Sequence, residues 1–192
     1  YLEAVERLAL EENILLILDE VQTGIGRTGK MFACQHYGIR PDLLTLAKAL
    51  GSGVPIGAML ASKKVAATFQ PGDHASTYGG NPLVTAAALA AFEVIEDGLV
   101  ERCAQVGAYF KKQLHALQKR WSIIEDVRGL GLLLGVELSV PAAPIVAAAR
   151  ERGLLILTAG ERVLRFVPPL IIEEREVDTA LEILEEAFEA CK

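Results

Sequence analysis

The sequence predicts an α/β fold, a sheet of buried strands followed by a smaller α+β lobe, and three observations lead there. The first sixty residues alternate a helical pattern with short uninterrupted apolar runs, as strands buried on both faces of a parallel sheet do. An Ala-rich helical stretch then opens at Pro82 and a second runs from Leu99 to about Lys119. From Ile123 onward the pattern changes to strand-like segments separated by two helices.

Taken in order, Leu2, Val5, Leu8 and Leu10 mark an opening helix that Asn13 stops. Ile14–Leu18 reads as a buried strand with Asp19 at its C-terminal end. Gly24, Gly26 and Gly29 punctuate a loop carrying Arg27 and Lys30, and a short helix follows from Phe32 to Tyr37. Pro41-Asp42 leads into a second strand, Leu43–Leu46, with Lys48 just beyond it, and Gly57–Ala61 is a third. Ligands of such sheets bind beyond the C-terminal ends of the strands. In the later part, Ile123–Val127, Leu130–Leu138, Leu154–Leu157 and Val163–Val167 read as strands, with helices at Ala142–Arg152 and Glu174–Cys191.

Composition narrows the function classes. The chain has 192 residues, 52% of them hydrophobic, enough to bury a sizeable core. No apolar run approaches the roughly 20 residues that cross a bilayer. A formal net charge of −6 and the lack of a Lys/Arg stripe with interleaved aromatics argue against nucleic acid as a partner. Cys34, Cys103 and Cys191 are far apart and there are three histidines, a pattern of neither a disulfide framework nor a metal site, and one that fits a reducing cytoplasm. The chain opens without Met, directly in a helical pattern, and reads as cut from something longer.

Lys48 is the most informative residue. It lies in Leu46-Ala47-Lys48-Ala49-Leu50-Gly51-Ser52-Gly53, where apolar and small neighbours favour a desolvated amine that loses its proton readily and acts as a nucleophile. Alone, the segment reads more readily as a surface lysine lying along an Ala/Leu helix. Asp19-Glu20-Val21-Gln22 places a carboxylate and an amide three positions apart at a strand end, where a protonated ring nitrogen is a physically sensible partner for Asp19; the plainer reading is a turn-capping Asp. Ser76-Thr77-Tyr78-Gly79-Gly80-Asn81-Pro82 has the ingredients of an anion site ahead of a helix, and is also ordinary N-cap material. Arg165 at a strand edge suits a carboxylate bidentately, or is a plain surface charge.

Together these segments resemble one family. Leu18-Asp19-Glu20-Val21-Gln22-Thr23-Gly24 with Gly26-Arg27-Thr28-Gly29, then Pro41-Asp42 through Lys48-Ala49-Leu50-Gly51, then His74-Ala75-Ser76-Thr77-Tyr78-Gly79-Gly80-Asn81-Pro82, occur in order, with 29 positions from Asp19 to Lys48 and 29 more to Thr77. The chain is similar to the later half of class III (subgroup II) aminotransferases, pyridoxal-phosphate enzymes of fold type I. Val163-Leu164-Arg165-Phe166-Val167-Pro168-Pro169-Leu170 resembles the acetylornithine and ornithine aminotransferase branch.

The resemblance implies that Lys48 bonds covalently to pyridoxal 5'-phosphate, that Asp19 pairs with the pyridine nitrogen, that Gln22 contacts the ring's phenolic oxygen and that Val21 packs on a ring face, with Glu20 among the cofactor-binding residues. It places Thr77 on the phosphate of a neighbouring subunit, Ser76 within reach of substrate and Arg165 on the substrate's α-carboxylate, so that activity requires a homodimer. It divides the chain into the later part of a large cofactor-binding domain (1–97), a connecting helix (98–121) and a small α+β domain (122–192). The expected reaction moves the ω-amino group of N-acetylornithine to 2-oxoglutarate in arginine biosynthesis. Ornithine, succinylornithine and 4-aminobutyrate aminotransferases or an aminomutase are alternatives, as is a non-catalytic fragment. The family's earlier segment, with its phosphate turn and stacking aromatic, would precede Tyr1, and without it the chain is expected to be inactive and to expose strand edges.

Overall fold

The computed structural model describes residues 1–192, and the chain folds as two compact units, Tyr1–Val100 and Glu101–Lys192. In the first, helix α1 (Leu2–Glu11) precedes strands β1 (Ile17–Asp19), β2 (Leu43–Leu46) and β3 (Ala58–Ala61), the short helix α2 (Lys63–Ala66) and helix α3 (Pro82–Val94). The three strands form one sheet in the order β1-β2-β3. β1 and β2 are parallel, pairing Ile17 with Leu43 and Asp19 with Thr45. β3 instead runs antiparallel to β2, pairing Leu46 with Ala58 and Leu43 with Ala61, so the sheet is mixed rather than parallel throughout. The connection decides this: residues 47–57 hold no crossover helix, only a 3-10 turn at Lys48–Leu50, and a direct return runs antiparallel.

β1 also departs from the expected doubly buried strand. Within β1, Leu18 is half-buried while Ile17 is 58% exposed, and Ile14 and Leu15 before it are 61% and 50% exposed; β1 is an edge strand with β2 as its neighbour. The core of this unit lies around β2 and the loop that precedes it, where Leu43, Leu44, Leu46, Ile25, Ile39 and Cys34 are buried. Helix α3 starts where Asn81 accepts a hydrogen bond from Val84 N (3.2 Å) and Pro82 occupies the first turn. It ends at a kink where Gly98 takes φ 93°.

The second unit consists of helix α4 (Val100–Gln118, whose first residue closes the first unit), β4 (Ile124–Leu130), β5 (Leu133–Leu138), α5 (Ala142–Glu151), β6 (Leu157–Ala159), β7 (Val163–Phe166) and α6 (Glu174–Ala190). Its sheet is antiparallel, ordered β4-β5-β7-β6. Along β5 and β7, alternate residues Leu134, Val136, Leu138, Leu164 and Phe166 are buried under the helices, and Phe110 of α4 packs edge-on against Phe166 at 5.3 Å. The apolar run from Leu130 to Leu138 is not one strand: Gly131 takes φ 55° and turns the chain between β4 and β5. β6 begins at Leu157, not Leu154, because Gly153 (φ 90°) ends α5 and Leu154 N still bonds to Ala149 O (2.9 Å). No helix is long and apolar enough to cross a membrane.

Candidate active site

Asp19 is the last residue of β1, and its ladder partner Thr45 lies three positions before Lys48. Adjacent parallel strands end on the same side of a sheet, so the carboxylate and the amine share one sheet end, their backbones separated by about 10 Å at most along the strand direction. Asp19 is exposed, with Oδ1 accepting from Val21 N (2.9 Å) and Oδ2 left open. Lys48 is exposed too, and its φ of 49° places a non-glycine residue in the left-handed region. The turn Lys48–Leu50 closes through Gly51 N and Ser52 N, both donating to Lys48 O (3.0 and 3.2 Å).

The residues after Asp19 form a tight loop around a buried carboxylate. Glu20 is 3% exposed; Oε2 accepts from Ala33 N (2.6 Å), Oε1 from Cys34 N (2.8 Å), and the Thr23 hydroxyl lies 3.5 Å from Oε2. Glu20, expected among the cofactor-binding residues, is thus engaged by main-chain amides of its own loop. Both of its oxygens are held within the loop, where they satisfy the open amides at the start of the 3-10 turn Ala33–His36. Burial, then the adjacent Glu20 charge, pushes the Cys34 thiol up to about 11. Val21 is half-buried and Gln22 exposed. Farther along, Ile25 is fully buried with φ 53°, and His36 Nε2 lies 3.1 Å from both the carbonyl and the hydroxyl of Thr28.

The Ser76–Asn81 loop reaches the same sheet end. Ser76, Tyr78, Gly79, Gly80 and Asn81 line a recess of about 310 Å³, whose other wall includes Pro55, Ile56 and Gly57. Since Ala58 pairs with Leu46, that wall stands where Lys48 leaves β2. Ser76 Oγ accepts from Gly79 N (3.0 Å), and Thr77 is exposed within the loop. Pro55 and Ile56 were not singled out in the sequence; their one signal is the Gly- and Pro-punctuated stretch from Gly51 to Gly57.

Arg165 lies in the second unit, half-buried on β7, between Gly135 of β5 and Leu157 of β6. Gly135 leaves that row open, for a Cβ there would approach Val163 Cγ1 to 3.3 Å. Arg165 lines a largely apolar cavity of about 610 Å³ together with Phe110, Arg150, Leu155 and Phe166. Its row neighbour Arg128 is engaged by Asp126 (2.8 Å) and Glu137 (2.6 Å).

Comparison with known proteins shows the family. The family model described as "Aminotransferase class-III" matches residues 1–188. The acetylornithine aminotransferase of Caldanaerobacter subterraneus subsp. tengcongensis is 52% identical over 190 residues, covering 98% of this chain and 48% of that protein. Among solved structures, the ornithine aminotransferase of Plasmodium yoelii superposes with a TM-score of 0.93 at 36% identity, over 100% of this chain and 52% of that one. An S-selective transaminase from Arthrobacter superposes with a TM-score of 0.95 at 32% identity, over 100% and 47%. The chain spans about half the length of the curated relatives it matches. With a family match across nearly every residue, and Asp19 and Lys48 at one end of a mixed α/β sheet, the chain belongs to the class-III aminotransferases.

Proposed function

We propose that the whole protein is a pyridoxal-phosphate-dependent aminotransferase that takes the ω-amino group of N-acetylornithine and delivers it to 2-oxoglutarate, as a cytoplasmic step of arginine biosynthesis. The observation that carries this reading is the β1–β2 register, which sets Asp19 and Lys48 at one sheet end. The donor set suits the cofactor: a carboxylate with an open oxygen for a protonated ring nitrogen, an exposed amine for its aldehyde and a hydroxyl-bearing loop ahead of α3 for its phosphate. When bound, the cofactor supplies an electron sink for deprotonating the carbon that bears the amine.

The chain's own residues do the rest. Asp19 keeps the ring nitrogen protonated, because a carboxylate beside it favours the charged form. Val21 would pack against the ring and Gln22 would hold the phenolic oxygen. Lys48 would hold the cofactor aldehyde through Nζ, and that nitrogen, when free, would take the proton from the substrate carbon and return it elsewhere, acting as base and acid in turn. Thr77 binds the phosphate in a second copy of the chain and Ser76 meets the substrate there, so the working unit is a homodimer. Arg165 holds the α-carboxylate by a two-pronged contact that an ammonium does not reproduce. Domain limits of 1–97, 98–121 and 122–192 go with this reading.

Lys48→Ala in the whole protein is the direct test. The visible absorbance of the bound cofactor disappears and transamination falls by several orders of magnitude; a variant retaining both would refute the assignment. Rates on N-acetylornithine, ornithine, succinylornithine and 4-aminobutyrate then select the donor. The relatives named acetylornithine aminotransferase favour the first.

A further inference from the structure

Glu20 is a buried acid that no step above uses. Its main chain and side chain tie together three pieces of the site. Glu20 N donates to Thr45 O (3.0 Å), extending the β1–β2 ladder one residue past Asp19, toward the strand that carries Lys48. Glu20 O accepts from Gly24 N (2.9 Å), closing the turn that contains Val21 and Gln22. A Cβ on Gly24 would stand 2.9 Å from that oxygen, so the turn accepts only glycine without moving. The carboxylate reaches 13 positions along the chain and accepts Ala33 N and Cys34 N, one per oxygen.

We propose that Glu20 is a positioning residue: its buried carboxylate fixes the turn that presents Asp19, Val21 and Gln22 to the cofactor, without itself touching it. This rests on the aminotransferase reading above. The chemistry calls for a carboxylate and not an amide. Two N–H groups converge on the side chain, and only a group with two acceptor oxygens satisfies both; glutamine would turn its NH2 against one of them. Aspartate has the acceptors but is one methylene short. A buried amide left facing another donor is costly enough to displace the loop, and Asp19 is the residue directly attached to it.

The test uses the whole protein with pyridoxal 5'-phosphate as probe and compares wild type, Glu20→Gln and Lys48→Ala. In Glu20→Gln the cofactor's dissociation constant rises about tenfold or more. The midpoint of its pH-dependent visible absorbance moves upward, because a misplaced Asp19 no longer keeps positive charge on the ring beside the Lys48 nitrogen. In the cofactor-free protein, hydrogen exchange at the Ala33 and Cys34 amides accelerates about tenfold. A Glu20→Gln protein that is less heat-stable but keeps the wild-type affinity and absorbance midpoint would overturn the proposal, leaving Glu20 a purely structural group. Where wild type itself shows no visible band that Lys48→Ala removes, it is the aminotransferase reading that fails, and the exchange rates still judge the clamp. Should Glu20→Gln not fold, Glu20→Asp is read by the same three measurements; failure of both to fold would make Glu20 a determinant of the fold and overturn the positioning role.

Discussion

Gly51→Ala isolates the mechanical hold on Lys48. Gly51 is buried at the end of the Lys48–Leu50 turn, and its φ of −101° is one that alanine adopts freely, so the substitution adds a methyl without demanding a new backbone conformation. That methyl has nowhere to go. It would lie 2.3 Å from Val54 O and 2.7 Å from Ile56 Cγ2, whereas real contacts stay above 3.0 Å. The Ile56 methyl can rotate away, but the Val54 carbonyl is main chain and must withdraw by about 0.7 Å or more. Overpacking of this kind costs about 1–3 kcal/mol. Removing a glycine from the unfolded chain returns about 0.4–1 kcal/mol, so the net is destabilising. Gly51 N is bonded to Lys48 O, so the shift reaches the amine-bearing residue, and a misplacement near 1 Å lowers turnover by about a hundredfold. Urea denaturation and steady-state transamination of the whole protein measure the two effects. Gly53→Ala is the control: at φ 118° with nothing within 4 Å it strains the backbone but pushes on no neighbour. A Gly51→Ala protein with wild-type denaturation midpoint and turnover, or one no worse than Gly53→Ala in turnover, would refute the steric account.

Gly107→Ala should be the harsher substitution in the second unit. Its methyl would meet the main chain of Gly131, 2.3 Å from the carbonyl oxygen and 2.6 Å from Cα, so α4 must lift off the β4–β5 turn; a loss of about 3 kcal/mol or more is expected in urea denaturation. Among the cysteines, a thiol reagent at pH 8 should label exposed Cys191 and spare Cys34, as mass mapping of the labelled peptides checks. The folded state holds the Cys34 proton to about 11 while the unfolded chain releases it near 9.0, so stability falls as pH rises through that window, and Cys34→Ala should flatten the decline in thermal unfolding.

The parts of the site legible in the sequence are those set by single strands. Buried apolar runs fix where β1 and β2 stop, and Asp19 and Lys48 stand at those ends whatever the rest of the sheet does. Pairing is another matter. The direction of β3 depends on how residues 47–57 travel, and the exposure of Ile17 depends on what lies beside β1; neither is written in the local pattern. Glu20 shows the same limit at the level of one side chain. Beside Asp19 it reads from the sequence as a cofactor-binding residue; that its carboxylate accepts from main-chain amides 13 and 14 positions away could not be read there, because main-chain donors carry no residue signature. The strand at Leu157 slipped for a related reason: Gly153 extends the cap of α5 over Leu154, so the apolar run is shared between helix end and strand.

Strain gathers around the same sheet end. Of the four non-glycine residues with positive φ, Ile25, Lys48 and Ser52 lie in the two loops that follow β1 and β2. Each costs about 1–2 kcal/mol relative to an ordinary conformation, most for β-branched Ile25. What offsets it is visible at each position. Ile25 is 1% exposed, and a fully buried isoleucine contributes about 1.5–3 kcal/mol, enough to hold its backbone. Lys48 and Ser52 are exposed and gain nothing comparable; their turn is held by the hydrogen bonds to Lys48 O and by the fit of Gly51 under Val54. The strain at Ile25 is therefore explained by packing alone. At Lys48 it is not: the left-handed residue stands two positions beyond the end of β2, at the sheet end where β1 finishes in Asp19.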